Sequence, residues 1–238
     1  MFSGTRMINN HQHFFSLVAQ NDYFVVINKH DNINFHSEDG EFGVVVAVEN
    51  FLKQKLYSVH RLDKMTSGLL LLAKSSEVAN QLSLLFKNQQ IQKYYLAISD
   101  KKPKKKQGLI KGGMQKSRRS MWKLTNDNEN VAITQFFSYP LTEGKRLFVV
   151  KPKTGKTHQI RVALKSISSA ICGDHIYAEK QSHYDRGYLH AYQIYFNLYG
   201  EAYSFSCLPE RGQLFVCEQL QQRLTELGDL NMLSWPKV

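Results

Sequence analysis

The sequence predicts an α+β fold with a mixed, largely antiparallel sheet flanked by helices and loops. Short apolar runs of strand length outnumber the segments with helical spacing, and turn residues such as Tyr199 and Gly200 separate neighbouring runs as in a hairpin. The chain has no internal repeat, and strands do not alternate regularly with helices. This pattern disfavours a sheet built from repeated βαβ units.

Seven segments are predicted to be strands because they are short, apolar and bounded by turn residues. The run at 69–73 consists of Leu and Ala and follows Gly68, which suits a central, buried strand. The predicted strands lie at 23–27, 69–73, 94–98, 131–138, 146–150, 192–198 and 202–206.

Helices are predicted where apolar residues recur at intervals of three and four. The predicted helices are 44–56, the stretch after Ser75 and Ser76, the stretch after Thr157, and 213–227. Ser75 or Ser76 can cap the second helix and Thr157 the third, because a hydroxyl oxygen accepts a hydrogen bond from a free N–H of the first turn.

Length and composition indicate a globular protein with one sizeable domain or two small ones. The chain has 238 residues, of which 42% are hydrophobic and 21% charged, so it buries enough apolar surface to fold without disulfides or metals. No apolar run approaches the ~20 residues that cross a bilayer, so we expect no membrane association. The three cysteines are odd in number and widely spaced, which favours a reducing compartment, and we expect a cytoplasmic protein.

Positive charge is concentrated in one part of the chain. There are 31 Lys and Arg against 20 Asp and Glu, a net charge of +11. Ten of the basic residues lie in the acid-free stretch 101–123, here named the basic segment, and the rest of the chain is nearly neutral. Such a segment attracts a polyanion, and nucleic acid is the first candidate, although a solvated loop has the same composition.

The densest cluster of polar residues lies at 60–68, directly before the predicted strand 69–73. Asp63 is the only acid in this cluster. A polar loop beside a buried strand holds its side chains in fixed positions, as catalysis requires, which makes Asp63 a candidate functional residue. An Asp ahead of Thr-Ser-Gly also suits an ordinary turn, so both interpretations stay open at this point.

A second polar cluster, 154–161, has the sequence TGKTHQIR. Its Gly-Lys-Thr resembles the end of a phosphate-binding P-loop, but that motif needs a Gly where this chain has Val150, which excludes nucleoside triphosphate binding. If a helix starts at Thr157, His158 and Arg161 share one of its faces. That face is either solvated or presents a cation to an acid elsewhere in the fold.

Zinc and serine-nucleophile chemistry find no support in the sequence. A zinc deaminase needs P-C-x-x-C together with H-x-E, and a serine hydrolase needs G-x-S-x-G. The chain has neither P-C-x-x-C nor G-x-S-x-G. His175, His183 and His190 are irregularly spaced and lack cysteine partners. We therefore expect no metal.

Five segments, in order along the chain, carry a resemblance to a known family. The most specific is HRLDKMTSGLLLLAK at 60–74; the others are KYYLA at 93–97, TGKTHQIR at 154–161, CGDHIY at 172–177 and the LHA…F…P pattern that starts at Leu189. Together they resemble the RluA-type family of RNA pseudouridine synthases. The resemblance covers roughly residues 21–212. It implies a pseudouridine synthase catalytic domain there, between an N-terminal arm at 1–20 and a C-terminal helical tail at 213–238.

The resemblance also implies roles for the matched residues and a fold with a central RNA-binding cleft. Asp63 matches the catalytic aspartate, Tyr95 the tyrosine that stacks on the target base and takes part in proton handling at C5, and Arg161 the basic residue that pairs with the aspartate. Arg61 matches the arginine that fills the place of the flipped-out nucleotide. The residues expected to bind RNA are Arg61, His60, Thr66, Lys104, Lys105, Lys106, Arg118 and Arg119.

The implied activity is the isomerisation of specific uridines to pseudouridine in structured RNA, either rRNA or tRNA. The C1′–N1 bond breaks, the uracil turns, and the base rejoins the sugar through C5, so neither redox chemistry nor a cofactor is expected. Asp63 either attacks C1′ or abstracts the 2′-proton, and both routes need an ionised carboxylate. We expect a monomer whose partner is RNA. The alternative is a non-catalytic RNA-binding or ribosome-assembly protein that keeps the fold.

The chain departs from the family pattern in two places. His30 and Asp31 stand where the family usually has Pro and Gly, and residues 197–200 lack its usual His-Pro. Both places lie outside the implied chemistry. The residues before the first matched strand are too few for the S4 RNA-binding domain of many relatives, so we expect RNA selection to rest on the cleft, the basic segment and the tail.

Overall fold

The computed structural model describes residues 13–37, 42–118, 121–179 and 183–238. These residues form a sheet of 11 strands. The strands are β1 (Phe15–Gln20), β2 (Phe24–Lys29), β3 (Tyr57–Ser58), β4 (Ser67–Ala73), β5 (Gln92–Ser99), β6 (Gln107–Lys116), β7 (Trp122–Thr125), β8 (Val131–Pro140), β9 (Arg146–Pro152), β10 (Leu189–Leu198) and β11 (Glu201–Ser206).

Helices flank this sheet. In the described parts of the chain they are α1 (Val44–Leu52), α2 (Ser76–Lys87), α3 (Gln159–Ser166) and α4 (Glu218–Leu227). Ser75 caps α2 as predicted, because its hydroxyl oxygen accepts the Val78 N–H at 3.2 Å. No helix within the described ranges is long and apolar enough to cross a membrane.

The sheet is mixed and largely antiparallel. Its strand order is β1-β2-β4-β10-β5-β9-β8-β6-β7, with β3 paired to β4 and β11 paired to β10. Among the described strands, β4 and β10 form a parallel pair and every other pair is antiparallel. The predicted fold class is confirmed.

Strand β4 lies at the centre of the fold, as its apolar sequence predicts. All seven of its residues are buried. Leu70 and Leu72 pack in one hydrophobic cluster with α1, whereas Leu69 and Leu71 pack in another with α2. A strand that is covered on both faces has a continuous apolar sequence, whereas a strand with one exposed face alternates apolar and polar residues.

Gly68 allows β4 to approach β10 closely. Its φ is +112°, and a Cβ at this position would lie 2.3 Å from the Ala191 carbonyl oxygen. The two strands meet at His190 opposite Ser67 and at Ala191 opposite Gly68. Any larger residue would push apart the strands at the point where the polar cluster 60–68 enters the sheet.

Within the predicted N-terminal arm at 1–20, residues 15–20 form strand β1 at one edge of the sheet. β1 pairs with β2 from Phe15 opposite Lys29 to Gln20 opposite Val25. Phe15 is its one buried residue. An edge strand with so little apolar alternation has no clear sequence signal. Residues 1–12 lie outside the described residues.

Two predicted helices are shorter in the structure. The helix predicted over 44–56 ends at Leu52, because Lys53 adopts a left-handed conformation with φ 52°. The tail helix predicted from 213 starts at Glu218. After α4 the chain forms a short 3₁₀ turn, and Trp235 then packs against the ring of Tyr94 with centroids 5.6 Å apart.

Part of the basic segment is strand, because β6 covers residues 107–116 and β7 begins at Trp122, whereas residues 101–106 form a largely exposed connection. Lys104, Lys105 and Lys106 precede β6, and Arg118 follows it. A ten-residue strand spans roughly 33 Å, so the lysines before β6 and Arg118 after it form two basic patches at opposite ends of that strand. Arg119 lies outside the described residues.

Candidate active site

Asp63 lies in the loop 59–66, which connects β3 to β4. The Thr66 N–H donates to the Asp63 carbonyl oxygen at 3.0 Å, which closes a turn. The Asp63 side chain is 20% exposed and is not used by that turn. The predicted turn is therefore present and is made by the backbone, which leaves the Asp63 carboxylate free of it.

Two buried groups hold this loop in place. The His60 ring stacks on Phe86, and its Nε2 accepts the Leu71 N–H at 2.9 Å. Burial lowers the pKa of His60 to about 3, so the ring is neutral near pH 7. Lys29, fully buried, donates from Nζ to the Lys64 carbonyl oxygen at 3.2 Å. His60 thus supports the loop. If it also contacts RNA as expected, it does so as a neutral ring.

Arg161 on α3 joins Asp63 to a second carboxylate. Its Nη1 donates to Asp63 Oδ2 at 3.1 Å. Its Nε and Nη2 each donate to one oxygen of Asp174 at 2.7 Å. Burial lowers the pKa of Arg161, but the hydrogen bonds and charges of Asp174 and Asp63 outweigh burial, so the net pKa is raised. The guanidinium is therefore a permanent cation beside Asp63.

Asp174 orients Arg161 and is a site residue that sequence reasoning left without a role. Its side chain is fully buried. Besides Arg161, its Oδ1 accepts the N–H groups of Ile176 and Tyr177 at 3.0 and 3.1 Å. The one signal in the sequence is the family match CGDHIY at 172–177, which contains Asp174. Because Asp174 fixes two guanidinium nitrogens, the third nitrogen is aimed at Asp63.

His158 lies on the other side of Asp63. It adopts a left-handed conformation at the N-terminus of α3, without a side-chain cap, so the predicted capping by Thr157 is wrong. The buried side chain of Gln159 fixes the residues before α3 instead, because its Oε1 accepts the Lys156 N–H at 2.9 Å. His158 Nε2 is 3.9 Å from Asp63 Oδ2. Burial lowers the pKa of His158.

Tyr95 faces the same space from β5. It is partly buried and packs between two hydrophobic clusters. Burial and the nearby charge of Asp63 both raise the pKa of Tyr95. Its hydroxyl therefore stays protonated at neutral pH and can donate a hydrogen bond.

These residues line one cleft of about 520 Å³. Six of the predicted site residues line it: Asp63, Tyr95, Arg161, Arg61, His60 and Thr66. Thr66 is 2% exposed, which leaves it little surface for RNA. Among the described residues of the lining, Asp63 is the one acid, against five Lys and Arg. A single carboxylate within a ring of cations suits a polyanionic substrate.

The two basic patches differ in how they relate to this cleft. The β6–β7 hairpin, which carries Arg118, is linked to the cleft by hydrogen bonds. The Trp122 N–H donates to the Tyr177 hydroxyl oxygen at 2.8 Å, and that hydroxyl lies 2.9 Å from His158 Nδ1. The patch formed by Lys104, Lys105 and Lys106 lies at the far end of β6 and does not line the cleft.

Comparison with known proteins decides the family. A sequence model of the RNA pseudouridylate synthase family matches residues 23–166. The chain belongs to this family. An uncharacterised RNA pseudouridine synthase of Haemophilus influenzae is 46% identical to this synthase over 215 residues, which cover 88% of this chain and 96% of that one. The ribosomal large subunit pseudouridine synthase C of Rickettsia typhi is 32% identical over 192 residues, which cover 75% of this chain and 62% of that one.

Solved structures of RNA pseudouridylate synthases share the fold. The human RNA pseudouridylate synthase domain containing 1 protein is 20% identical to this synthase, with a TM-score of 0.76 over the full length of both chains. The human RNA pseudouridylate synthase domain containing 4 protein is 24% identical to this synthase, with a TM-score of 0.67 over 88% of this chain and 93% of that one. The predicted family and enzyme class, an RNA pseudouridine synthase, are confirmed.

Proposed function

We propose that this synthase isomerises specific uridines of structured RNA, with Asp63 as the catalytic residue and no cofactor. The observation that carries the proposal is the position of Asp63, the sole acid among the described lining residues, with Arg161 Nη1 3.1 Å from its Oδ2. A guanidinium at this distance favours the ionised carboxylate. Both attack on C1′ and abstraction of the 2′-proton need that ionised form.

The target uridine has to leave its stack to reach Asp63, at a cost of a few kcal/mol. Arg61 is exposed at the rim of the cleft and two residues from Asp63, which suits it to fill the gap in the RNA. Tyr95 offers the flipped base an aromatic face, and stacking of this kind contributes ~1–3 kcal/mol per base. These contacts would offset the cost of flipping the base.

Ribosomal RNA is the substrate class we favour over tRNA. The support is the name of the Rickettsia typhi relative, a ribosomal large subunit pseudouridine synthase, of which this chain spans 62%. We further propose that the protein acts in the cytoplasm as a monomer.

Tritium release tests the proposal against a non-catalytic RNA-binding role. Purified protein is incubated with large-subunit rRNA transcripts labelled with tritium at C5 of uridine. A new bond from C1′ to C5 displaces the C5 hydrogen, so an isomerase releases tritium to water in proportion to the pseudouridine formed. An RNA-binding or ribosome-assembly protein would bind the transcripts and release none.

Replacement of Tyr95 should separate stacking from proton handling. Tyr95→Phe keeps the aromatic face and removes the hydroxyl, so we expect RNA affinity within twofold of wild type and slower product formation. Tyr95→Leu removes both, and affinity should fall by roughly tenfold or more. Filter binding and single-turnover rates measure the two effects. Equal affinities of the Phe and Leu variants would rule out stacking by Tyr95.

The two basic patches should differ in their contribution to RNA capture. Each phosphate contact adds roughly 0.7–0.9 to the slope of log affinity against log salt. Replacing Lys116 and Arg118 by Gln should therefore flatten that slope by about 1.5 and raise KM, with little change in single-turnover rate at saturating RNA. The matched variant, which also loses two charges, replaces Lys104 and Lys105 by Gln. It should change the slope less, and a larger change would place RNA along the far end of β6.

A further inference from the structure

Lys93 is a cation in the cleft that the reaction described above does not use. It lies two residues before Tyr95 on β5, and both side chains line the cleft. Tyr94, between them, faces the other side of the sheet, where it packs on Trp235. Two residues along a strand span ~7 Å. Lys93 is thus close enough to Tyr95 to contact the same nucleotide or its neighbour.

Within the described part of the chain, the Lys93 ammonium group has no carboxylate partner and no hydrogen bond. Its closest described partner is the Phe86 ring, whose centroid is 5.6 Å from Nζ. A Cβ built on Gly155 would lie 3.9 Å from Nζ, so the ammonium faces the exposed loop before α3. Lys87 and Lys156 line the same cleft. Lys93 is half-buried. Withdrawing an unpaired ammonium even partly from water is unfavourable, and an anion that binds beside it offsets this cost.

We infer that Lys93 binds a backbone phosphate of the RNA next to the target uridine, with Lys156 on the other side of that phosphate. This inference rests on the proposed function for the identity of the anion. Burial lowers the pKa of Lys93 to about 8, consistent with a site that lacks its counter-ion. The other charged and titratable groups that line the cleft with Lys93 are His60, Arg61, Asp63, Lys87, Tyr95, Lys156, His158 and Arg161.

The test is the binding of a fluorescent 12-nucleotide oligouridylate, measured by anisotropy against salt and pH. Lys93→Met should weaken binding roughly tenfold, the typical value of one charge-assisted hydrogen bond. It should also flatten the salt slope by ~0.7. Lys237→Met, in the exposed tail on the Tyr94 side of β5, removes one charge as a control and should leave both values unchanged.

Thermal unfolding and the Arg variant separate a binding role from a structural one. Since Lys93→Met removes an unpaired, half-buried charge, its Tm should equal or exceed that of wild type, whereas loss of a structural lysine would lower it. Wild-type affinity should fall as pH rises through 8, by up to tenfold per pH unit, because only the protonated ammonium attracts phosphate. Lys93→Arg keeps its charge and should bind the oligouridylate equally well at pH 7 and pH 9.

The proposal is overturned if Lys93→Met binds the oligouridylate as wild type does, or if its Tm falls while its affinity is unchanged. It is equally overturned if Lys93→Arg shows the same loss of affinity above pH 8 as wild type, since another group would then be titrating. None of these readouts requires isomerisation. Wild-type protein that binds the oligouridylate through Lys93 and releases no tritium from labelled rRNA would leave the phosphate site intact and refute the proposed function alone.

Discussion

Replacing Asp63 with Asn is expected to abolish pseudouridine formation, with turnover lower than wild type by at least about a thousandfold. The change is nearly isosteric, but it removes the negative charge that both attack on C1′ and abstraction of the 2′-proton require. The side-chain oxygen of Asn can still accept the Arg161 Nη1–H that Asp63 Oδ2 now accepts at 3.1 Å. The fold and the affinity for RNA should therefore be nearly unchanged.

Tritium release and filter binding on the same transcripts measure the two effects of this substitution. Asp22→Asn, in the loop between β1 and β2, removes one negative charge outside the cleft and should behave as wild type. Turnover of Asp63→Asn within tenfold of wild type would exclude Asp63 as the catalytic residue. Equal loss of activity in the Asp22 variant would point to net charge instead.

The largest expected effect on stability is that of Arg161→Met. Arg161 is 5% exposed and Asp174 is fully buried, so the substitution leaves a buried carboxylate without two hydrogen bonds of 2.7 Å. Removing one partner of a buried ion pair costs roughly 3–5 kcal/mol in the free energy of unfolding. Turnover should fall as well, because Asp63 loses its cation.

Urea denaturation, with the midpoint and slope analysed separately, measures this loss. Arg161→Lys provides the control, because it keeps one charge but cannot contact both carboxylates with three nitrogens. Its stability should lie between wild type and Arg161→Met. A free energy of unfolding for the Met variant within 1 kcal/mol of wild type would contradict a buried ion pair between Arg161 and Asp174.

The central strands and the residues of the motif at 60–74 could be predicted, because neighbouring residues in the sequence are enough to recognise them. The run at 69–73 is short and apolar and lies in β4 as expected. The hairpin predicted around Tyr199 and Gly200 joins β10 and β11. Asp63 could be singled out because it is the only acid in its cluster, and the structure places it beside Arg161, 98 residues further along the chain.

The features that sequence reasoning missed depend on distant contacts. β1 is an edge strand with one buried residue, so it has little apolar alternation. β6 contains glycines and exposed lysines, and pairing with β8 and β7 makes it a strand despite its composition. The roles of Asp174 and Lys93 depend on burial and on which partners are present or absent. Neither property is visible in the residues next to them.

The most direct test of Asp63-dependent isomerisation is pseudouridine mapping of total RNA from cells that lack this gene. At least one uridine, expected in large-subunit rRNA, should be unmodified in those cells. Wild-type protein should restore the modification at that position, and an equally abundant Asp63→Asn protein should not. A map that is identical with and without the gene, or restoration by the Asn variant, would contradict the proposed activity.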